Sequence, residues 1–332
     1  MTADRLHTPD RPAASAGSRT VICICALTCG RPQGLRALLA GLGDLRTPVG
    51  ARVMVLIVDN NSDASSRDPV EAARAGMPFE LYWVHEPRRG ISFARNAALE
   101  FAHGHADFVA FIDDDEIPTP DWLCELSRVQ RASGAAAVVG PVVPRFSGPV
   151  PGWAVEGGFY ASRGCGPYGT EPEDGAPVPC GNSGNVLIRC DLLGPDGFRF
   201  DEALALTGGE DTLLFAQLAA AGHAVVYARA AIVHETVPPT RLRPSWLVKR
   251  WYRTGNTDAL IMARGGCSRI GLLARGALRI GAGSVLALVA AATSPRRPAR
   301  LLGRLYTVAR GAGMVAYVLD RRVEEYRTIH GA

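Results

Sequence analysis

From residue 20 onward the chain alternates between two hydrophobic rhythms. Nearly continuous apolar runs stand at TVICICAL (20–27), RVMVLIVDN (52–60), ELYWVHE (80–86) and DFVAFID (107–113). Such runs predict strands, and RVMVLIVDN, apolar at successive positions, predicts one buried on both faces. Between them, GLRALLAGLGDL (34–45) and ISFARNAALEFA (91–102) space their apolar residues three and four apart, as a helix does. TPDWLCELSRVQRA (119–132) opens with helix-start chemistry: Thr119 as N-cap, Pro120 at the first helical position and Asp121 in the first turn. AAAVVGPVV (135–143) predicts a fifth strand, and residues 144–184, rich in Gly and Pro, predict a long loop region. Regular structure resumes at NVLIR (185–189), with a helix from Glu210 to Ala221, a strand in HAVVYA (223–228), and helices over 243–264 and 270–327. Strand–helix alternation of this kind predicts an α/β fold: a doubly wound, mostly parallel sheet with helices on both faces.

Charge changes the picture at the C-terminal end. The 332 residues are 47% hydrophobic and 20% charged, with a formal net charge of +4, but residues 259–332 carry 12 arginines against 3 acids while the rest of the chain is net −5. A mildly acidic body with a basic helical extension points to an anionic surface as partner. The body is not basic and holds no nucleic-acid-binding motif, which sets nucleic acid aside and leaves an anionic membrane surface, or simple packing of the extension on the body. Of the eight cysteines, Cys23, Cys25 and Cys29 crowd one strand with no histidine nearby, a poor spacing for zinc, and reduced thiols in the cytoplasm are expected. Residues 1–18 are polar, without the apolar core of a signal peptide, and read as a disordered tail. No apolar run reaches the roughly 18 to 20 residues of a membrane span. The nearest is IGAGSVLALVAAA, residues 280–292.

The candidate chemistry lies at strand ends. FIDDDEIP (111–118) puts Asp113, Asp114, Asp115 and Glu116 directly after an apolar run, and VLIVD ends at Asp59. Ligands of open parallel sheets bind beyond the carboxyl ends of the strands. Neighbouring carboxylates repel unless something neutralises them, and a D-x-D at such an edge suits Mg²⁺ or Mn²⁺, hard ions that take one or two carboxylates plus phosphate oxygens. Taken alone, the cluster also fits a solvated turn capping the next helix. A second acidic pair, Glu210 and Asp211 in TGGEDTLLF, opens a helix after two glycines. Acids are common in first turns because of the helix dipole, but the glycines let another group approach closely, and a lone carboxylate there can act as a general base. CGNSGN (180–185) adds a small polar loop before a strand, and His234 follows the strand AVVYA.

Together these segments resemble the family 2 glycosyltransferases of the GT-A fold, over about residues 20–258. ICALTCGRP, LIVDNNSD, EPRRGISFARNAAL, FIDDDEIP, GNSGN, GGEDT and IVHE carry the resemblance in order, and several of them look most like the glucosyltransferases of bacterial exopolysaccharide assembly, such as succinoglycan synthesis. The resemblance implies a GT-A domain over residues 19–258; the basic charge of residues 259–332, by contrast, predicts a helical membrane-associated extension there. The resemblance implies that Thr28 and Asp59 hold the uracil end of a UDP-sugar, that Arg95 reaches the base or diphosphate, and that Asp113 approaches the ribose. Asp115, with Asp113 and His234, would hold the Mg²⁺ or Mn²⁺. Gly181, Asn182 and Asn185 would line the donor-sugar pocket, Asp211 would be the base, and Glu210 would orient the acceptor. Processive members carry an R/Q-x-x-R-W signature; WLVKRW has Leu247 at its first position, which favours addition of one sugar.

The reading that follows is an inverting transferase that moves one sugar from a nucleotide-sugar donor to a lipid-linked or saccharide acceptor, peripheral on the inner face of the cell membrane. Two other classes compete. A non-catalytic nucleotide-sugar-binding scaffold subunit would not need the full set of acids. A nucleotidyltransferase would want a glycine-rich basic loop after the first strand, which ALTCGRPQGL supplies poorly.

Overall fold

The computed structural model describes residues 19–160, 171–179, 181–321 and 323. The N-terminal tail expected over residues 1–18, and the middle of the Gly/Pro-rich stretch, lie outside the described residues. In chain order the elements are β1 (Thr20–Thr28), α1 (Pro32–Gly43), β2 (Ala51–Asp59), α2 (Arg67–Arg74), β3 (Glu80–His85), α3 (Ile91–Ala102) and β4 (Phe108–Asp113). They continue with β5 (Glu116–Pro118), α4 (Trp122–Ser133), β6 (Ala137–Val139), β7 (Val142–Phe146), α5 (Gly152–Gly157) and β8 (Asn185–Arg189). Then come α6 (Glu210–Ala220), β9 (Val225–Tyr227), β10 (Val233–Val237), α7 (Pro244–Arg264), α8 (Arg269–Thr293) and α9 (Pro298–Val318).

Seven strands form the main sheet in the order β3-β2-β1-β4-β8-β6-β9. All neighbours run parallel except at β8, which is antiparallel to both β4 and β6. This is the expected doubly wound architecture. Alternate residues of the continuous apolar strands feed two cores. Ile22, Ile24, Val53, Val55 and Ile57 pack with Leu35 and Leu38 of α1 and Trp122 and Leu126 of α4. Cys23, Cys25, Met54, Leu56 and Val58 pack on the other face with Ala94 and Leu99 of α3 and Leu214 and Phe215 of α6. A strand buried on both faces has no polar side to display, which is why its sequence shows no alternation.

Two local expectations are corrected. The run 135–143 is not one strand: it divides at Gly140–Pro141, β6 staying in the main sheet while β7 joins β5 and β10 in a separate three-stranded sheet ordered β5-β10-β7. Thr119 does not cap α4. Its backbone N–H and its hydroxyl both donate to the Ile232 carbonyl, at 3.0 and 3.1 Å, tying the loop before β10 to the helix start, and Asp121 takes the N-cap position.

The C-terminal helices form a layered extension. Helix α7 runs through residue 258, so the fold has no break there. Helix α9 lies between α7 and α8 and is approached closely on both sides through glycines. A Cβ on Gly255 of α7 would stand 2.0 Å from the Arg310 carbonyl oxygen, and one on Gly276 of α8 would stand 2.8 Å from Val315 Cγ2. Leu247, at the position where processive enzymes carry Arg or Gln, is fully buried in a cluster with Tyr160, Trp251 and Leu302. The expectation that no segment is long enough to span a membrane is corrected as well. By length and composition α8 is: it has 25 residues, with a mean hydropathy of 1.6 over an 18-residue window. The helix extends the 280–292 run by eleven residues at its N-terminal end and by one at its C-terminal end.

Candidate active site

Parallel pairing sets Thr28 beside Asp59, and Leu27 beside Asp113, so three strand ends deliver polar groups to one edge. Past β4 the chain turns through Asp114 and Asp115 and enters β5 at Glu116. Each of the four acids thus meets a different environment.

Asp114 is buried and accepts hydrogen bonds from the Thr28 hydroxyl and Arg31 Nη1, both at 2.8 Å. Burial, reinforced by Asp115 and opposed by Arg31, pushes its carboxyl up to about 6. Glu116 is also buried, and its Oε2 accepts from the Asp113 backbone N–H at 3.0 Å. Burial, with Asp113 beside it, raises that carboxyl well above the usual range. Asp115 accepts from Arg31 Nη1 at 3.1 Å and Arg241 Nη2 at 3.3 Å. Asp113 keeps two-fifths of its side chain exposed, with Arg95 Nη2 3.6 Å away. The acidic cluster is therefore held together by three arginines and by the raised proton affinity of its buried members.

Across the edge, Arg95 of α3 pairs with Glu210, the first residue of α6; both are almost fully buried, at 3% and 2% exposure. Burial pushes the Glu210 carboxyl up to about 7, with Asp211 adding to the shift and Arg95 opposing it. Among the described residues Glu210 Oε2 has no hydrogen-bond partner. Asp211 is only partly buried, and its Oδ1 accepts from the Thr212 backbone N–H at 2.6 Å. The two glycines ahead of the pair have a local reason. Gly208 and Gly209 adopt φ of +77° and +88°, and a Cβ on Gly209 would stand 2.4 Å from Thr257 Cγ2 of α7. The turn thus aims Glu210 inward and leaves Asp211 nearer the surface.

Most of the residues expected at the site do gather here. Thr28, Arg95, Asp113, Asp115, Glu210 and Asp211 share the edge, and Gly184 reaches it as well: a Cβ there would stand 2.7 Å from Glu116 Oε1 and 3.1 Å from Asp113 Oδ2. Gly181 fits tightly between Phe215 and Val139. Asn182 Oδ1 accepts from the Asn185 backbone N–H at 3.3 Å, closing the small polar loop. Asp59 lies at the edge but is fully buried and accepts four hydrogen bonds, from the backbone N–H groups of Asn61 and Ser66, Asn61 Nδ2 and Ser66 Oγ. It fixes the loop 60–66 from inside.

Three placements differ from expectation. Asn185 uses its whole amide internally: Oδ1 accepts from Trp122 Nε1 at 2.8 Å, and Nδ2 donates to the carbonyls of Pro141 and Ala231. It staples β8 to its surroundings rather than offering an amide to a ligand. Glu210 is turned inward and paired with Arg95. His234 is not brought to the acids. Along β10 successive side chains alternate in direction, and Glu235 is the residue whose carboxyl Asp115 and Asp113 help to raise, after burial. His234 lies beside Arg145, and burial with that guanidinium lowers its proton affinity.

Sequence reasoning missed Arg31, Arg241 and Glu235. Arg31 stands in the loop TCGRP that follows β1, the strand neighbouring the acids, and the repulsion among four carboxylates was the signal that cations must stand near. Arg241 donates to Glu235 Oε1 at 2.8 Å and lies over the Trp246 ring at 5.7 Å, as Arg250 does at 5.4 Å. No sequence pattern joins residue 241 to residue 115.

The comparisons with known proteins agree with this architecture. The family described as "Glycosyl transferase family 2" matches residues 22–193. The chain is 38% identical over 236 residues to the succinoglycan biosynthesis protein ExoM of Rhizobium meliloti (strain 1021), covering 71% of this chain and 73% of that protein. It is 33% identical over 113 residues, 34% of each chain, to a glucosyl-dolichyl phosphate glucuronosyltransferase of Haloferax volcanii. Among solved structures, the mannosyltransferase PcManGT from Pyrobaculum calidifontis, in complex with GDP-Man and Mn²⁺, superimposes with a TM-score of 0.61 at 19% identity, covering 91% of this chain and 88% of that one. That likeness shows the GT-A-type fold. The chain belongs to glycosyl transferase family 2. It is a glycosyltransferase, with relatives in exopolysaccharide synthesis.

Proposed function

We propose that the protein is an inverting, metal-dependent transferase that adds one hexose from a UDP-linked donor to a lipid-linked saccharide, or to another saccharide acceptor, at the cytoplasmic face of the membrane. The observation that carries the reading is the meeting of two differently equipped acidic groups at one sheet edge: Asp113 and Asp115 at the end of β4, and Asp211 at the start of α6, with Arg95 between them.

The donor set at the end of β4 fits a hard divalent ion. Among the described residues no group of three or more His, Cys, Asp or Glu is placed to hold a metal by itself. Mg²⁺ and Mn²⁺ are commonly held by one or two carboxylates plus phosphate oxygens, and Asp113 and Asp115 supply that number. When bound, such an ion would supply positive charge beside the departing diphosphate.

The chain's own residues do the rest. Arg95 holds Asp113 and α6 at a fixed separation. Thr28 and Asp59 shape the nucleotide end, and Gly184 lets the loop before β8 pass close against Glu116 and Asp113, at the edge where the sugar would sit. Asp211 takes the proton of the acceptor hydroxyl as that oxygen attacks the anomeric carbon from the face opposite the nucleotide, a contribution typically about 10²- to 10⁴-fold. Opposite-face attack inverts the anomeric configuration.

The test is a thermal-shift and calorimetric comparison of UDP, GDP and CDP, with and without Mn²⁺, on the wild type and Asp115→Ala. UDP should bind tightest, Mn²⁺ should strengthen it, and Asp115→Ala should lose the Mn²⁺-dependent part. Equal binding of UDP by both proteins, with no effect of Mn²⁺ or EDTA on binding or transfer, would remove Asp115 as a ligand.

A further inference from the structure

Helix α8 buries a single stripe. Leu272, Gly276, Gly283, Ala287 and Ala290 are buried, the first three against α9. At 100° per residue, the large apolar residues that remain exposed centre on the opposite side of the helix. They include Ile270, Leu278, Val285, Leu288 and Val289, at 80%, 72%, 60%, 72% and 51% exposure. No charge interrupts the chain from Ile280 to Pro295, and arginines bracket that stretch: Arg275 before it, Arg296, Arg297 and Arg300 after it; Arg279 is turned to the protein instead, paired with Asp258 of α7. Arg296, Arg297 and Arg300 line one shallow depression at the α8–α9 turn, with Thr293, Ser294 and Pro295.

We infer that α8 lies flat in one leaflet of an anionic bilayer, its outer face in the acyl region and its bracketing arginines among the phosphate headgroups, and that it does not cross. This rests on the membrane placement proposed above and adds the geometry. Two observations decide between lying and crossing. The helical part of the uncharged stretch, Ile280–Thr293, is about 21 Å long at 1.5 Å per residue, short of a hydrocarbon core of about 30 Å. Crossing would also carry α9 into hydrocarbon, because α8 is seated on it through close glycine contacts. Helix α9 is in turn fixed to the catalytic unit: Gly255 approaches the Arg310 backbone, and Arg310 pairs with Asp258 of α7. An in-plane helix needs only its free face covered, and an apolar face rimmed by arginines matches an anionic interface in both respects.

The experiment uses the full chain with vesicles of phosphatidylcholine alone or mixed with phosphatidylglycerol, UDP binding being measured in parallel as a check of fold. Wild type should float with the anionic vesicles, and less at high salt or with phosphatidylcholine alone. Arg296→Ser with Arg297→Ser should weaken that partition about 30-fold, at roughly 1 kcal/mol per arginine, and Val285→Glu with Leu288→Glu should abolish it, each leaving UDP binding unchanged. Tryptophans placed singly at Leu278, Val285 and Val289 should be quenched by brominated lipids at one shared shallow depth. Depths graded along the helix would establish a crossing segment and overturn the inference. So would a failure to float with intact UDP binding, or a salt-independent dimer lost on Val285→Glu, which would assign the face to a second copy. Loss of UDP binding by the wild type would instead strike the donor reading and leave the vesicle result to stand alone.

Discussion

Replacing Glu210 with Gln isolates the proton that the fold keeps on this residue. Glu210 is 2% exposed, and burial lifts its carboxyl from an ordinary 4.5 to about 7 in spite of Arg95. Between those pH values the folded protein holds a proton that the unfolded chain has released, so stability falls as pH rises through the window. A displacement of about 2.5 pH units corresponds to roughly 3 kcal/mol, a large share of a typical domain's stability of about 5 to 15 kcal/mol. Gln keeps the shape of the neutral acid and cannot ionise. The stability difference, Glu210→Gln minus wild type, should therefore rise by about 3 kcal/mol between pH 4.5 and pH 7.5, and lie level outside that range. Urea denaturation of both proteins across the range measures it; groups elsewhere titrate alike in both and cancel in the difference. A flat difference, or one that falls with pH, would refute the reasoning: it would mean that the Arg95 ion pair outweighs desolvation and that Glu210 is ionised throughout.

Two further outcomes follow from the geometry. Asp211→Asn should lower kcat by about 10²-fold or more while UDP affinity stays unchanged; steady-state kinetics with a donor and acceptor check it, and a near-wild-type kcat would exclude Asp211 as the base. Gly255→Val drives a side chain into the Arg310 backbone, where even a Cβ would stand 2.0 Å from the carbonyl oxygen, and should cost about 1 to 3 kcal/mol or more. The urea midpoint reports it, and an unchanged midpoint would mean that α9 does not sit against α7 as described.

The sequence by itself determined the α/β class, the strand edge that carries the chemistry and the separation of the two acidic groups. These follow from local causes: continuous apolar runs cannot be anything but buried strands here, and a run that stops at Asp59 or Asp113 stops where the sheet ends. The ordered set of short segments, from ICALTCGRP to IVHE, was enough to indicate the family. The direction of each side chain was not legible. Glu210 and Asp211 are adjacent in sequence, yet the Gly208–Gly209 turn, shaped by its contact with Thr257, turns the first toward Arg95 and leaves the second near the surface. His234 and Glu235 are likewise adjacent, and only the pairing of β10 with β5 and β7 decided which one meets the acids. Arg241 reaches Asp115 across 126 positions of sequence, and Asn185 spends its amide on Trp122, Pro141 and Ala231, which approach only in the folded chain. Chain-local patterns report which residues are buried and where elements end. Which polar atoms meet depends on packing between distant elements, and that only the tertiary structure supplied.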